Sequence, residues 1–326
     1  MQNSYLKVFE NLFFNAEKYD SVIEIIEQAS CVLDSVITKF GEVENEMTTG
    51  ISRVNNFVDT VVMSFIRKIM EQLDAINVLY SVCSFESAQI ILRSLIENIV
   101  GLEFILKDDT EKRAAAYCLE HHYQELDKSQ IYFNAESEYG KMIIAENGKV
   151  WFDEYCEKIE KKKQALEKLI KSKEVFKSTD EARKKRLNAK KQSKSKKKIY
   201  IQWYEVCSNI TSFYGLMKET GYEKFYDGIY GGLSFESHGL NAAMSIGADE
   251  NGLSLEWLRN PEGGSTTFGI TCNFSIGALH KIYQYLGDGE SEKAEFKDFF
   301  KNFAKQRDIA SHNLDMIRSI SSSESK

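Results

Sequence analysis

Apolar residues recur along most of this chain at the spacing of one helix face, and this pattern predicts a helix-rich fold. The clearest stretch is 51–80, in which apolar side chains follow the i, i+3, i+4, i+7 rule of an amphipathic helix. The stretch from about 86 to 107 is apolar around most of its circumference, which predicts a helix at the centre of a bundle. The same pattern predicts two helices within 4–41 and further helices over 110–135, 203–219, 223–245, 274–286 and 290–319.

Two stretches interrupt the helical pattern. Residues 41–50, rich in Glu and Thr between two glycines, predict a loop, and residues 249–272, with glycines and short alternating runs, predict a small hairpin or looped excursion. The chain of 326 residues has one proline against 19 glycines, fewer prolines than a sandwich or barrel usually carries. We therefore predict an all-α helical bundle with a projecting Lys-rich helical hairpin or arm and a short excursion near 249–272.

Charge is concentrated in one segment of the chain. Between Lys158 and Lys198 there are 18 Lys and Arg against 5 Asp and Glu, a net charge of +13, although the whole chain carries −7. We therefore divide the chain into an N-terminal helical half over 1–150, a basic insertion or arm over 151–200, and a C-terminal helical half over 201–326 that completes one bundle.

The basic segment has two interpretations. It is the electrostatic footprint of a nucleic-acid site, since each phosphate that is neutralised releases counterions, or it is a solvated hairpin held to an acidic body by its own charge. Few aromatic residues interleave with its lysines, which argues against base stacking within the arm. In the first interpretation the residues expected to contact RNA are Lys184, Lys185, Arg186, Lys190, Lys191, Lys196, Lys197 and Lys198.

The cysteines and the absence of targeting patterns predict a cytoplasmic protein without a cofactor. No cationic start is followed by an apolar core, so we expect no signal peptide, and no stretch approaches 18 uninterrupted apolar residues, so we expect no membrane span. The six cysteines form no CxxC pair, which predicts separate thiols in a reducing compartment rather than metal sites or disulfides. No HExxH, Walker loop or GxGxxG occurs, so we expect neither a metal nor a nucleotide cofactor.

Three charged residues, Arg93, Glu97 and Glu103, interrupt the most apolar of the predicted helices. Arg93 and Glu97 are four residues apart and therefore share a helix face. Charged side chains are rarely buried unless they are paired or have a function. The pair is either a buried ion pair that fixes helix register or two groups that reach a third partner.

A second group of polar residues lies in the sequence FYDGIYGGLSFESHG. Tyr226, Tyr230, Ser234 and His238 are spaced by four, so a continuous helix would align them as one polar stripe. Ser234 and His238 would then lie within reach of each other, as nucleophilic catalysis requires. The alternative is a core histidine whose hydrogen bonds are satisfied within the fold.

A third group lies in the last predicted helix, where Arg307 and Asp308 precede His312 and Asn313. The spacing of the arginine and the histidine resembles the R-x4-6-H motif of the HEPN superfamily, all-helical domains of which many are metal-independent ribonucleases. The resemblance implies that His312 is the general base or orients the 2′-hydroxyl, that Arg307 neutralises the phosphate, and that Asp308 or Asn313 positions the pair. Attack by the 2′-hydroxyl of RNA needs such a proton acceptor and such a cation. The alternative is a surface or packing pair.

Three short motifs, in this order, resemble the bacterial domain-of-unknown-function family 5677. They are A-x4-R-S-L-x-E over 88–97, Tyr-x2-Leu-Ser-x3-His over 230–238, and Arg-Asn-Pro over 259–261, and the resemblance covers roughly residues 50–290. It implies a helical fold, and proteins resembling this family occur near mobile-element and anti-phage genes. Gly231 and the long basic insertion depart from the usual pattern of the family.

From these residues and resemblances we expect a metal-independent endoribonuclease or RNA-binding effector of a bacterial phage-defence or toxin system. The expected partners are RNA, a second copy of the chain in a homodimer, because HEPN-type sites form where two protomers meet, and a neighbouring antitoxin or defence protein. The alternative is a non-enzymatic helical sensor or scaffold. In that case a buried network of Arg93, Glu97 and His238 is structural, and the arm contacts an acidic partner.

Overall fold

The structure confirms the all-α class. This computed structural model describes residues 20–49, 56–192, 200–236, 246–249, 252–255, 259, 263–287 and 290–323. Within these ranges the secondary structure is helical apart from one antiparallel hairpin, formed by β1 (Ile246–Asp249) and β2 (Gly252–Leu255). The hairpin lies at the start of the excursion that the sequence predicts near 249–272.

The described part of the chain contains twelve α-helices. A 3₁₀ turn (Glu223–Phe225) and a π-helical turn (Tyr226–Tyr230) lie between the ninth and the tenth of them. The α-helices are α1 (Asp20–Thr49), α2 (Phe57–Ser81), α3 (Phe85–Lys107), α4 (Thr110–Tyr132), α5 (Glu138–Asn147), α6 (Lys149–Ser172), α7 (Glu174–Gln192), α8 (Trp203–Cys207), α9 (Phe213–Thr220), α10 (Gly231–Glu236), α11 (Gly264–Leu286) and α12 (Glu290–Ser323).

The chain divides into two compact units, of which the first joins Met1–Leu106 to Met217–Lys326. In this unit α1 packs against α2, α11 and α12, and α11 also packs against α12. Helices α1 and α12 are antiparallel, because Lys39 pairs with Glu295 near the start of α12 and Gln28 accepts a hydrogen bond from Asn313 farther along it. Helix α3 contributes the fully buried apolar side chains Leu92, Leu95, Ile96, Ile99, Val100, Leu102, Phe104 and Ile105.

The second unit spans Lys107–Leu216 and is organised around α4. Helix α4 packs against α7 and α8, and also against α5 and α6. The basic helices α6 and α7 bury Phe152, Leu166 and Phe176 in this unit. The sequence-based boundary of 151–200 for a separate basic insertion therefore differs from the structure, because the apolar stripes of α6 and α7 are packed together with α4 in one larger unit.

Other sequence-based boundaries are also wrong. Helix α11 begins at Gly264, inside the excursion predicted near 249–272 and ten residues before the helix predicted over 274–286. Residues 41–49 of the loop predicted over 41–50 belong to α1, because Phe40, Val43 and Met47 repeat at helical spacing and are buried. The helix predicted over 203–219 is interrupted between α8 and α9 by two serines whose side chains bind backbone N–H groups. Ser208 Oγ accepts from the N–H of Ile210, and Ser212 Oγ accepts from the N–H of Gly215. Such local bonds compete with helix formation.

Gly264, at the start of α11, lies where no side chain fits. A Cβ at this position would lie 2.8 Å from Phe85 Cζ and 2.8 Å from Tyr80 Oη, and the Gly264 carbonyl accepts a hydrogen bond from Tyr80. We expect Gly264→Ala to lower the free energy of unfolding by about 1–3 kcal/mol, the usual cost of overpacking a core. Gly269→Ala, in open space on the same helix, is the control and should stabilise by about 0.5–1 kcal/mol. Urea unfolding measures both, and equal effects would contradict the prediction.

Candidate functional site

Arg93 and Glu97 of α3 converge on the hydroxyl of Tyr230. The Tyr230 hydroxyl donates to Glu97 Oε1 at 2.6 Å and accepts from Arg93 Nη2 at 3.1 Å. Arg93 Nε also lies 3.5 Å from Glu97 Oε1, and the guanidinium carbon lies 4.7 Å from the centroid of the Tyr230 ring. Of the two interpretations of the Arg93–Glu97 pair, the structure therefore favours two groups that reach a third partner.

The backbone that carries Tyr230 is a π-helical turn. The N–H of Gly231 bonds to the carbonyl of Tyr226, five residues earlier, and the rings of Tyr226 and Tyr230 stack with centroids 5.5 Å apart. The single helix predicted over 223–245 is instead divided here, because the 3₁₀ turn and the π-helical turn precede α10 and the π-helical turn inserts one extra residue into the four-residue repeat. Single π-helical turns are frequent at functional sites.

The cluster of Arg93, Glu97 and Tyr230 is open to solvent on the side of its charged groups. The Glu97 side chain is 45% exposed and that of Arg93 is 26% exposed, whereas Tyr230 is buried. The structure thus contradicts a fully buried Arg–Glu pair. A half-exposed carboxylate next to a guanidinium is accessible to a ligand, which an ion pair sealed in a core is not.

The surroundings of Tyr230 keep its hydroxyl group protonated. Burial and the hydrogen bond to Glu97 raise the pKa of Tyr230 to about 12, so the phenol stays neutral at physiological pH and acts as a donor. Burial alone would lower the pKa of Arg93, but its bonds to Tyr230 and its attraction to Glu97 outweigh burial and raise that pKa. The arrangement therefore holds a permanent cation next to a carboxylate that a neutral phenol orients.

The other two members of the predicted polar stripe cannot be placed against this cluster. The backbone of Ser234 is part of α10, and the side chain of Ser234 and the whole of His238 lie outside the described residues.

Arg259, in the Arg-Asn-Pro motif over 259–261, is exposed and has a left-handed backbone with a φ of 59°. Its charge lowers the pKa of Cys83, although burial dominates and raises that pKa to about 11. Asn260 and Pro261 also lie outside the described residues.

A second tyrosine–glutamate bond, which the sequence did not suggest, lies close by on α3. The Tyr222 hydroxyl donates to Glu103 Oε1 at 2.6 Å, and the Tyr222 ring stacks on Phe274 with centroids 4.7 Å apart. Tyr222 precedes the 3₁₀ turn and Tyr230 ends the π-helical turn, so two tyrosine–glutamate bonds fasten this segment to α3. In the sequence, Glu103 is visible as a glutamate within an apolar run. Its partner, Tyr222, is identified by the fold.

Glu103 should make stability depend on pH. Burial raises the pKa of Glu103 to about 7, partly opposed by the bond from Tyr222 and the charge of Lys281. Because the folded chain holds this proton more tightly than the unfolded chain does, the free energy of unfolding falls as the pH rises from about 4.5 to 7. Glutamine does not titrate, so the free energy of unfolding of Glu103→Gln should rise relative to that of wild type when the pH is raised from 5 to 8. Urea unfolding at the two pH values measures this difference. An exposed control, Glu71→Gln, should show no such difference, and a pH-independent effect of Glu103→Gln would refute the prediction.

The C-terminal candidate residues lie on different sides of α12. Arg307 donates to Asp308 Oδ1 from Nη2 at 2.7 Å and to Asn273 Oδ1 of α11 from Nη1 at 3.0 Å. Five residues of α-helix rotate by about 140°, so His312, which is exposed, leaves the helix far around from Arg307. Asn313 bonds to Gln28 of α1. Within one chain the two side chains therefore leave the helix about 140° apart, and Asp308 and Asn273 bind the guanidinium of Arg307.

Three of the proposed RNA-contacting cations are bound to protein oxygens within the second unit. Lys184 pairs with Asp180 at 2.6 Å, Lys190 pairs with Glu205 at 2.7 Å, and Arg186 donates to the carbonyl of Ser208 at 2.9 Å. Asp180 and Glu205 are almost fully buried, so these cations neutralise interior carboxylates. Of the remaining candidates Lys185 and Lys191 are exposed, whereas Lys196, Lys197 and Lys198 lie outside the described residues.

Comparison with known proteins identifies one family. A model described as "Family of unknown function (DUF5677)" matches residues 59–253. No curated protein and no solved structure matches the chain significantly. The helices that the structure describes include none with the length and apolar character needed to cross a membrane. Nor do the described residues bring together three His, Cys, Asp or Glu side chains suited to holding a metal ion. The match spans α3 and the π-helical turn, and so includes the whole Arg93–Glu97–Tyr230 cluster.

Proposed function

Since the chain belongs to DUF5677, a family whose description names no activity, we propose from its own residues that it is a metal-independent endoribonuclease centred on Arg93, Glu97 and Tyr230. The observation that carries the proposal is the shared hydroxyl of Tyr230, which holds an accessible carboxylate and a guanidinium side by side. A base and a cation in that arrangement are what cleavage of RNA by its own 2′-hydroxyl requires.

In the proposed reaction each side chain of the cluster has one role. Glu97 takes the proton of the 2′-hydroxyl, the 2′-oxygen attacks the neighbouring phosphorus, and the bond from phosphorus to the 5′-oxygen breaks. Arg93 stabilises the extra negative charge of the phosphorane. Tyr230 stays protonated and orients the carboxylate. The departing 5′-oxygen takes up a proton, for which His238 is the candidate donor, and the products are a 2′,3′-cyclic phosphate and a 5′-hydroxyl.

The wider setting that we propose follows from the resemblances rather than from this geometry. The protein would act in the cytoplasm in phage defence or as a toxin, with a neighbouring antitoxin or defence protein. A homodimer is the arrangement in which Arg307 and His312 of different copies could share a site, since one helix sends them about 140° apart. That C-terminal pair is therefore the rival centre for the same reaction.

The test is an assay on total RNA in the presence of EDTA, with one variant for each centre. Arg93→Ala should abolish EDTA-resistant cleavage, whereas Arg307→Ala and His312→Ala should leave it within about two-fold of wild type. If the C-terminal variants lose cleavage instead, and an equimolar mixture of the two regains it, the reaction belongs to a composite site between two copies. Circular dichroism spectra identical to wild type exclude unfolding as the cause.

A second function, a non-enzymatic sensor or scaffold, is favoured by the cations of α7. Lys184 and Lys190 neutralise the buried carboxylates of Asp180 and Glu205, and Arg183 does the same for Glu120. Part of the basic character thus holds the second unit together. Absence of RNA cleavage by the wild type at every protein concentration would favour this function.

A further inference from the structure

We propose that the groove between α11 and α12 binds a small carboxylic acid with an apolar body. The two helices pack against each other within the first unit, and the groove between them has a volume of about 760 Å³. Cavities of this size hold small organic ligands. The inference does not depend on the proposed ribonuclease, since no side chain of the Arg93–Glu97–Tyr230 cluster lines the groove.

Apolar side chains form the walls of this groove. Ile276 and Tyr283 line it from α11, and Phe296 and Phe300 line it from α12. The Phe296 ring is held between neighbours, because its centroid lies 4.9 Å from that of Tyr283 and 5.5 Å from that of His280. Phe300 is 42% exposed. A ligand with an apolar body that covers Phe300 gains free energy in proportion to the apolar area removed from water.

The polar side chains along the groove already have acceptor atoms bound by other side chains. Asn273 Oδ1 accepts from Arg307 Nη1 at 3.0 Å. Gln284 Oε1 accepts from Lys281 Nζ at 3.3 Å. The amide nitrogen of Gln284 is therefore the donor in its 2.9 Å bond to His280 Nε2, which places the imidazole proton on Nδ1. The groups left for a ligand are donors, namely the Nδ2 group of Asn273 and the Nδ1–H of His280.

Lys297 adds a positive charge to these donors. Its side chain is exposed at the groove, and the described residues that line the groove include no acid. The acids next to Lys297 along α12 have cations of their own. Glu295 pairs with Lys39 of α1, and Asp298 lies 3.8 Å from Lys301.

This combination of groups is complementary to an apolar acid. An ionised carboxylate has only acceptor atoms, so it matches two donors and an ammonium group whose lining neighbours carry no negative charge. A neutral apolar molecule would fill the same walls without using Lys297. The groove should therefore prefer a carboxylic acid over the alcohol of the same shape.

The test measures binding of small acids to the full chain by isothermal titration calorimetry. Octanoate supplies an aliphatic body and 2-naphthoate an aromatic one, and each is compared with its neutral alcohol, 1-octanol or 2-naphthol. We expect at least one acid to bind, and the tighter acid shows which body fits the walls. That acid should bind about two- to five-fold more tightly than its alcohol, the usual effect of one exposed ion pair.

Two pairs of variants locate the binding site. Lys297→Met should weaken binding of the acid by about two- to five-fold and leave the alcohol unchanged. Lys301→Met removes the same charge from an exposed position of α12 outside the groove and should bind the acid like wild type. Phe300→Ala should weaken acid and alcohol alike by about five-fold or more, because both lose apolar contact. Met316→Ala, at a position 46% exposed and about 24 Å farther along α12, should weaken neither.

Three results would overturn the inference. The first is that neither acid binds at millimolar concentration. The second is that each alcohol binds as tightly as its acid and that Lys297→Met behaves like Lys301→Met, which would remove the role of charge. The third is that Phe300→Ala binds the acid as Met316→Ala does, which would place the acid outside the groove. Circular dichroism spectra identical to wild type exclude unfolding of the variants.

Discussion

Replacing Arg183 by methionine is expected to destabilise the protein by about 3–5 kcal/mol, because the change leaves a buried glutamate without its cation. Arg183 Nε donates to Glu120 Oε2 at 2.6 Å, and the two side chains are 11% and 4% exposed. The guanidinium carbon also lies 3.8 Å from the centroid of the Tyr123 ring, whose hydroxyl donates to Asp180. Urea unfolding monitored by circular dichroism measures the loss.

Two further variants separate the charge effect from lost packing. Lys185→Met makes the same kind of change at the exposed position two residues along α7 and should alter stability by no more than about 0.5 kcal/mol. The double variant Arg183→Met with Glu120→Met removes both charges and should regain most of the lost stability, since a buried ion pair can often be replaced by apolar groups. If Arg183→Met costs no more than Lys185→Met, the pair does not hold the second unit together.

Replacing Glu97 by glutamine is expected to slow RNA cleavage by about 10²- to 10⁴-fold, the usual contribution of a general base. Glutamine keeps an oxygen that can accept from the Tyr230 hydroxyl but cannot take the proton of the 2′-hydroxyl. Cleavage should therefore fall while RNA binding stays within about two-fold of wild type. Single-turnover cleavage of a labelled oligonucleotide with EDTA present measures this effect.

The control for Glu97→Gln is Glu71→Gln on α2. Glu71 is likewise an exposed helical carboxylate, and it pairs with Lys68 at 2.9 Å. The Glu71→Gln variant should cleave RNA like wild type. Equal activity of Glu97→Gln and Glu71→Gln would show that the carboxylate next to Tyr230 takes no part in the reaction.

Local patterns predicted the helices well where apolar spacing was regular, and less well where tertiary contacts decide. The spacing that predicted α2 and α3 is set by buried side chains within each helix. Gly41 suggested a break, yet the helix continues because Val43 and Met47 bury apolar area that outweighs the cost of a helical glycine. Ser208 and Ser212 break the next predicted helix by binding nearby N–H groups, a competition that apolar spacing does not express.

The candidate site was only half predictable for a similar reason. The four-residue spacing of Arg93 and Glu97 showed that they share a face of α3. Their common partner, Tyr230, is more than 130 residues away, and only folding brings it to them. The pairing of Glu103 with Tyr222 and of Glu120 with Arg183 escaped notice because an isolated charge in an apolar run does not identify its partner. The sequence did not show which groups bind the lysines of α7, and the structure pairs Lys184 and Lys190 with buried carboxylates.

The most direct test of the central claim is the mass of the fragments released from an RNA oligonucleotide. In the presence of EDTA the wild type should leave a 2′,3′-cyclic phosphate on one fragment and a 5′-hydroxyl on the other. A 2′-deoxynucleotide on the 5′ side of the cut should block cleavage there, and Glu97→Gln should give no fragments in the same time. Undiminished fragments from Glu97→Gln, or cleavage next to the deoxynucleotide, would contradict a reaction at Arg93, Glu97 and Tyr230.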